Sequence, residues 1–323
     1  MKRLPFEIQD NRKLRVIIDT DAGCEADDQY AIAHALLSGK IDVVGILAEH
    51  FGHIQGSMRQ SFEEIHRVCE LMGMVQVPVY EGAQGAIADP ANRASGSDKM
   101  QARGLSCSPA GRFLIEEALR EDSRPLFVLC QGALTNVAEA IKAAPEIQDR
   151  IQIVMVGGTK YPVGGFEFNT MNDPAAFNII MNSSAAVWVL PEEVYATMQA
   201  GMMELYTRVS KCGKIGAYLY KKTAETALRM AKMVPVDPAA TPFETVISFP
   251  NGESWSLGDS AAVGLLLMHH AGDYKEVAAP NVLADGTYII PDRNRKIRWY
   301  TSINQRFILE DFYTKLAYFF GEG

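Results

Sequence analysis

The sequence predicts an α/β fold with an open, mostly parallel central sheet flanked by helices, in a single domain spanning residues 1–323. Two observations carry this prediction. Apolar, β-branched runs alternate with helical patterns along most of the chain, and such alternation is typical of βαβ units that bury a parallel sheet. Short polar turns connect these elements, and neither a Ser- or Pro-rich linker nor an internal repeat divides the chain.

Each of the first four predicted strands is followed by a predicted helix. The pairs are RVIID with QYAIAHALLS (15–19, 29–38), IDVVGILA with SFEEIHRVCELMG (41–48, 61–73), PLFVLC with TNVAEAIKAA (125–130, 135–144) and IQIVMVGG with DPAAFNIIMNS (151–158, 173–183). A fifth strand, AAVWVLP, follows at 185–191. Near the carboxyl end, residues 286–320 predict two strands and a terminal helix, and the basic run DRNRKIR (292–298) predicts a solvated hairpin.

Two segments do not fit this alternation. Residues 82–111 are rich in Gly, Ala and Ser, and a long region of this kind predicts a lid or a flexible segment. Residues 201–256 begin with a helical stretch, and we expect them to form a helical cap that closes over a site.

Composition argues against several classes of function. The net charge of −8 disfavours nucleic-acid binding, because that binding depends on basic patches. No run approaches the ~20 apolar residues of a membrane helix, and the amino terminus has no apolar secretion segment, so we expect a cytoplasmic protein without a membrane partner. The five cysteines are widely spaced and form no C-x-x-C pair, which predicts reduced thiols rather than disulfides or a zinc site.

Five carboxylates cluster where the first strand ends. In RVIIDTDAGCEADDQYAIAHALL (15–37) they are Asp19, Asp21, Glu25, Asp27 and Asp28. We expect Asp19 and Asp21 to point the same way, while Asp27 and Asp28 begin a helix whose N-terminal dipole favours negative charge. Capping accounts for one or two acids but not five, because like charges repel unless a cation compensates them. Oxygen ligands without obvious Cys or His favour Ca²⁺ or Mg²⁺.

Two rival motifs also contain Asp-x-Asp. Phosphatases of the haloacid-dehalogenase type place a nucleophilic carboxylate after a strand, but they continue Asp-x-Asp-x-Thr, whereas this chain has Gly23 at that place. The Asp-x-Asp of glycosyltransferases is short and nonspecific. Neither motif predicts that Asp27 and Asp28 begin a helix.

Four motifs and a closing helix give the chain a family resemblance. DTDAGCEADDQYAIAHAL (19–36) resembles the Asp-x-Asp-Pro-Gly-x-Asp-Asp-x-x-Ala signature of the inosine-uridine nucleoside hydrolase family. VLCQGALTNVAEAI (128–141), GGFEFNTMNDPAA (164–176) and LGDSAAVGLLL (257–267) resemble three later family segments in the same order, and INQRFILEDF (303–312) resembles the closing helix. The resemblance covers nearly the whole chain and implies a nucleoside hydrolase-like, Rossmann-like fold.

The resemblance also implies an activity. A calcium-dependent N-ribosyl hydrolase would cleave the N-glycosidic bond of a ribonucleoside or related N-riboside to ribose and free base, and family members are homodimers or homotetramers. The cation makes water easier to deprotonate, and carboxylates stabilise the oxocarbenium charge on the sugar. By position, the metal ligands would be Asp21, Asp28, Asp259 and the backbone carbonyl of Gln131; Asp21 would also accept the proton of the attacking water; and Asp27, Glu167 and Asn169 would hold the ribose.

The sequence departs from the family pattern in two places. The first loop is two residues longer and lacks its proline, which makes Glu25 an additional candidate site residue. Gly258 stands where many members have a His that helps to protonate the leaving base. Trp255 could stack on a base or pack in the core, and His50 and His53 follow the second strand, where they could serve as acid-base groups or be structural.

Two other functions stay open on sequence grounds. One is a metal-dependent ribose- or nucleoside-binding protein without turnover. The other is a phosphohydrolase that uses Asp19 or Asp21 as a nucleophile.

Overall fold

The computed structural model describes residues 2–52, 54–87, 107–233 and 252–321. The strands are β1 (Leu14–Thr20), β2 (Ile41–Ala48), β3 (Val79–Glu81), β4 (Leu126–Gln131), β5 (Ile151–Val156), β6 (Ala186–Leu190), β7 (Gln199–Gly201), β8 (Ser254–Ser256), β9 (Tyr274–Ala278), β10 (Asn281–Val282), β11 (Tyr288–Ile289) and β12 (Lys296–Tyr300).

The helices alternate with these strands over most of the chain. They are α1 (Asp28–Leu36), α2 (Ser57–Leu71), α3 (Pro109–Leu119), α4 (Thr135–Ala143), α5 (Phe168–Asn172), α6 (Pro174–Asn182), α7 (Glu192–Tyr195), α8 (Met202–Arg208), α9 (Gly213–Met233), α10 (Ser260–Leu267) and α11 (Gln305–Phe320), with 3₁₀ turns at Asp10–Arg12 and Pro145–Arg150.

Eight strands form one sheet in the order β3-β2-β1-β4-β5-β6-β12-β9. All neighbouring pairs are parallel except β12 with β9. The first six strands therefore have the 3-2-1-4-5-6 order of a doubly wound fold, in which ligands bind at the carboxyl ends of the strands. The predicted fold class is confirmed.

Both faces of the sheet are covered, which explains why its strands are almost continuously apolar. In β1, Val16 and Ile18 belong to a core cluster on one face, and Ile17 belongs to a second cluster together with Leu47 of β2. All four side chains are fully buried. The five strands and four helices predicted in the first 191 residues occur in the predicted order.

The predicted hairpin at residues 292–298 is wrong. β11 pairs with β10 in a separate two-stranded sheet, while β12 lies between β6 and β9. Arginines fix this segment against neighbouring backbone: Arg295 donates to the carbonyls of Met181 and Ala185 at 3.1 and 2.6 Å, and Arg293 donates to the carbonyl of Ala279 at 3.1 Å. The basic run thus anchors an internal strand.

Two predicted segments extend beyond the described residues. Of the predicted lid, 88–106 lies outside them, and α3 begins within its last residues. Of the predicted cap, 234–251 lies outside them, whereas α8 and α9 lie within its first part, and α9 coincides with the helical stretch 213–233. α9 packs against α2, α8 and α11. A role for either segment in covering a site stays a prediction.

Two further expectations concern the described residues. None of the helices among them combines the length and apolarity that crossing a bilayer requires. All five cysteines lie in this part of the chain and none forms a disulfide.

Candidate active site

A cavity lies at the carboxyl ends of the central strands. Asp21 directly follows β1, Gln131 ends β4 and Val156 ends β5, so three neighbouring parallel strands contribute to it. The described residues that line it are Asp21, Cys24, Glu25, Asp27, Asp28, Gln131, Val156, Glu167, Phe168, Asn169, Tyr195 and Asp259. Six of these are carboxylates and none is a Lys, Arg or His, so this lining has a strong negative charge.

Three of the carboxylates converge at two helix starts. Asp27 precedes α1, Asp28 is its first residue, and Asp259 precedes α10. One oxygen from each lies within 4.8 Å of the others. The hydroxyl of Thr20, the last residue of β1, donates to Asp28 Oδ1, and the backbone amide of Asp259 lies 3.4 Å from Asp27 Oδ2. These contacts hold the acidic side chains together despite their like charges.

Two further oxygens complete a donor set suited to a hard cation. Asp21 Oδ2 and Gln131 Oε1 are buried and have no hydrogen-bond partner, although an unsatisfied buried oxygen costs roughly 1–3 kcal/mol. Gln131 Nε2 donates to the backbone carbonyl of Asp259 at 3.2 Å, which joins two predicted ligands directly. A cluster of carboxylate and amide oxygens without nitrogen or sulfur could hold Ca²⁺ or Mg²⁺.

The electrostatics of the cluster favour a bound cation. Burial, followed by the charges of neighbouring acids, raises the pKa of Asp21 and of Asp259 well above its ordinary value. Burial and the charge of Asp27 do the same for the pKa of Asp28. Burial raises the pKa of Asp27 to about 6 and, with the charge of Asp27, that of Glu25 to about 7. Without a cation these groups keep their protons to a higher pH than free carboxyls do, and a divalent ion would compete with those protons.

Glu167 stands on the β5 side of the cavity as the N-cap of α5. Its Oε2 accepts from the Gly158 and Thr170 amides at 2.8 and 2.9 Å and from the Thr170 hydroxyl at 2.6 Å. Its Oε1 accepts from the Asn169 amide at 3.1 Å and the Tyr195 hydroxyl at 3.0 Å. Asn169 itself donates through Nδ2 to the Val156 carbonyl at 3.0 Å. Both side chains are therefore fixed before any ligand binds.

The extended first loop is held from two sides. Gly23 approaches the α2 backbone so closely that a Cβ would lie 2.8 Å from the Ser61 nitrogen. Gln29 Nε2 donates to the Ala22 carbonyl at 2.7 Å, and Arg229 of α9 donates to the Cys24 carbonyl at 3.1 Å. These anchors place Glu25 in the cavity wall.

The structure brings together most of the predicted site residues. Asp21, Glu25, Asp27, Asp28, Gln131, Glu167, Asn169 and Asp259 all line the cavity. Asp19 does not, which contradicts the expectation that it points the same way as Asp21. It belongs to β1 and accepts a hydrogen bond from Asn136 Nδ2 at 2.9 Å, whereas Asp21 follows the strand and escapes its alternation.

Three other predicted contacts are absent from the described lining. His50 is fully buried, with Nε2 2.8 Å from the Thr135 hydroxyl. Trp255 is also fully buried, in β8 opposite Ala200 of β7. The structure therefore places both in packed surroundings rather than in the cavity wall. His53 lies outside the described residues.

Sequence reasoning missed Cys24, Val156, Phe168 and Tyr195 as lining residues. Val156 carried a usable positional signal, because it ends a parallel strand. Phe168 lies between two predicted sugar ligands. No motif pointed to Tyr195, since its role depends on contacts with segments distant in sequence.

A family model described as inosine-uridine preferring nucleoside hydrolase matches residues 16–309. Uridine nucleosidase 1 of Arabidopsis thaliana is 30% identical over 192 residues, covering 54% of this chain and 55% of that protein. The pyrimidine-specific ribonucleoside hydrolase RihA of Salmonella typhimurium is 28% identical over 187 residues, covering 54% of this chain and 58% of that protein. The match thus spans little more than half the length of these curated relatives.

Solved structures share the fold over nearly their whole length. The purine-preferring ribonucleoside hydrolase from Gardnerella vaginalis superposes with a TM-score of 0.74 at 22% identity, covering 94% of this chain and 98% of that chain. A plant nucleoside hydrolase, the PpNRh1 enzyme, gives a TM-score of 0.70 at 21% identity with the same coverage. At such identities the likeness concerns the fold alone.

Proposed function

Since the chain belongs to the inosine-uridine preferring nucleoside hydrolase family, whose model matches residues 16–309, we propose that it hydrolyses the N-glycosidic bond of a ribonucleoside or related N-riboside. The products are ribose and a free base. The observation that supports this most directly is a cavity lined by the converging carboxylates of Asp27, Asp28 and Asp259 together with Asp21, Glu167 and Asn169.

We infer that the cation of this site is Ca²⁺, held by Asp21, Asp28, Asp259 and Gln131. The unpartnered buried Oδ2 of Asp21 supports this ligand set, as does its purely oxygen chemistry. For Gln131 the unpartnered atom is the side-chain Oε1, whereas the sequence predicted its backbone carbonyl as the ligand. When bound, such a cation lowers the pKa of water and orients it.

The chain's own residues then divide the reaction between them. Asp21, which lines the cavity, accepts the proton of the attacking water. Asp27, whose carboxylate converges with those of Asp28 and Asp259, accepts hydrogen bonds from sugar hydroxyls. Glu167, buried at the opposite wall, supplies negative charge that stabilises the oxocarbenium character developing on the ribose.

The test combines metal analysis with a reducing-sugar assay on the full chain. Purine and pyrimidine ribonucleosides are both needed, because the relatives' names include uridine, pyrimidine-specific and purine-preferring activities. We expect ribose release that a chelator abolishes and calcium restores. Absence of release from every riboside, with one calcium bound per chain, would reject the hydrolase and favour binding without turnover.

Matched variants separate the roles of the metal and the sugar residues. Asp259→Asn should lose calcium and turnover together, because it removes one of the converging oxygens. Asn169→Ala should retain calcium and raise KM. Full calcium content in the Asp259→Asn variant would show that the ligand assignment is wrong.

Three expectations about the whole protein stay predictions: a cytoplasmic location, a homodimer or homotetramer, and a lid over the cavity. Light scattering of the purified protein tests the second directly.

A further inference from the structure

The buried Glu167 carboxylate has little capacity left for a ligand. It accepts five hydrogen bonds, from the amides of Gly158, Asn169 and Thr170, the hydroxyl of Thr170 and the hydroxyl of Tyr195. A carboxylate offers about four lone-pair sites. The five donors already exceed these sites, so a sugar hydroxyl finds no unoccupied position on Glu167.

Tyr195 is the donor that reaches the cavity from a different segment. The other four donors belong to the α5 turn or to the backbone after β5, whereas Tyr195 ends α7 and lines the cavity with its ring. Its hydroxyl donates a hydrogen bond to Glu167 Oε1 at 3.0 Å. The phenolic oxygen retains lone pairs, and these are available to a second donor.

Gly258 confirms how closely the Tyr195 ring is packed at this wall. A Cβ on Gly258 would lie 2.9 Å from Tyr195 Cδ2 and 3.4 Å from Asp27 Oδ2. The backbone of Gly258 is not in the left-handed region that favours glycine, so backbone conformation does not require glycine there. The ring occupies the space into which a side chain at this position would project.

We propose that Tyr195 is a substrate-binding residue of this site: its phenolic oxygen, oriented by Glu167, accepts a hydrogen bond from a sugar hydroxyl, and its ring replaces a side chain at position 258 as the cavity wall. This rests on the proposed function, because it takes the ligand to be an N-riboside. Burial and the charge of Glu167 raise the pKa of the phenol. Tyr195 therefore stays protonated and donates the hydrogen bond to Glu167.

The first test uses Tyr195→Phe, which removes one oxygen and keeps the ring. The affinity of the calcium-loaded protein for uridine, inosine and their 2′-, 3′- and 5′-deoxy forms is measured as KM where ribose is released and by calorimetry where it is not. We expect Tyr195→Phe to weaken ribonucleoside binding by about tenfold, the effect of one hydrogen bond. At one of the three positions, removal of the hydroxyl should weaken nucleoside binding to wild type by the same factor. Tyr195→Phe should bind that deoxy form as well as it binds the ribonucleoside.

The outcomes separate this inference from the proposed function. Unchanged affinity in Tyr195→Phe, or equal deoxy penalties in both proteins at all three positions, would overturn the role of Tyr195 even if ribose is released. If the deoxy penalty disappears in Tyr195→Phe but no ribose is released, the role of Tyr195 is supported and the proposed hydrolase activity is rejected. Binding of no riboside at all would overturn both. Calcium affinity and the unfolding midpoint of Tyr195→Phe should match wild type, which a merely structural role would not predict.

The second test examines the wall. Gly258→Ala should weaken nucleoside binding in the wild-type background, because the added methyl pushes the ring towards the cavity. In a Tyr195→Ala background the same substitution should have little further effect, since the ring is gone. Additive effects of Gly258→Ala and Tyr195→Ala would contradict the packing argument.

Discussion

Without a bound cation, the carboxyls of this site should make the free energy of unfolding fall as the pH rises, whereas carboxyls with lowered pKa values make it rise. In the metal-free protein, the pKa of Asp27 is raised from 3.8 to about 6, chiefly by burial. Between these values the folded protein binds a proton that the unfolded chain has released. The contribution of such a group to the free energy of unfolding therefore falls as the pH rises through this window.

The size of the effect follows from the shift. A carboxyl whose pKa moves from 3.8 to about 6 on folding costs about 3 kcal/mol once it is ionised in the folded state. Asp21, Asp28 and Asp259 shift in the same direction, so this figure describes one group of a coupled cluster. Calcium at 100 times its Kd adds about 2.7 kcal/mol. Because it displaces protons, its contribution should grow between pH 5 and pH 8.

The assay is urea unfolding at pH 5, 6, 7 and 8, with chelator and with excess calcium. Ion pairs elsewhere also respond to pH, so the decisive quantity is the difference between wild type and Asp259→Asn. In chelator, the free energy of unfolding of Asp259→Asn should rise relative to that of wild type as the pH increases. Calcium should not increase the free energy of unfolding of this variant. Glu276→Gln, an exposed change on the edge strand β9, serves as the control. A calcium increment that is independent of pH would refute the reasoning.

Two other predictions concern neighbouring aspartates and helix packing. Asp19→Asn should keep calcium binding while Asp21→Asn loses it, as measured by calcium titration, because only Asp21 faces the cavity; equal losses would show that the two residues share one function. Gly264→Ala should lower the free energy of unfolding by roughly 1–3 kcal/mol, because a Cβ there would collide with the fully buried Ile308. Gly201→Ala is its control, since an added Cβ would find its nearest neighbour at 3.8 Å. Equal urea midpoints for the two alanine variants would contradict this packing prediction.

The sheet was predictable because its burial leaves a direct trace in sequence. Strands covered on both faces are rich in apolar residues, and the buried run Val16, Ile17 and Ile18 of β1 shows that pattern. The acid cluster was predictable for a related reason, since Asp27 and Asp28 stand where a helix begins after a strand. Both signals are local, and each is contained within a few residues.

What sequence reasoning missed depends on contacts between distant segments. The environment of Asp19 depends on Asn136, 117 positions away. Trp255 is buried because β8 pairs with β7, and a three-residue strand has too few positions to show a period. Tyr195 is held at the cavity by its close packing against Gly258 and its hydrogen bond to Glu167. None of these partners can be inferred from spacing along the chain.

The carboxylates of the first loop therefore divide into groups with different physical requirements. Asp19 lies within β1 and does not line the cavity; burial raises its pKa to about 7, and Asn136 Nδ2 donates to its Oδ1. Asp21 and Asp28 line the cavity, where a bound cation would compensate the repulsion between their charges. Glu25 and Asp27 line the same cavity beside them. A loop two residues longer than the family pattern adds Glu25 to this wall, and Arg229 of α9 holds the preceding carbonyl. The lengthened loop is thus tied to α9, which belongs to the segment 201–256 predicted to form the cap.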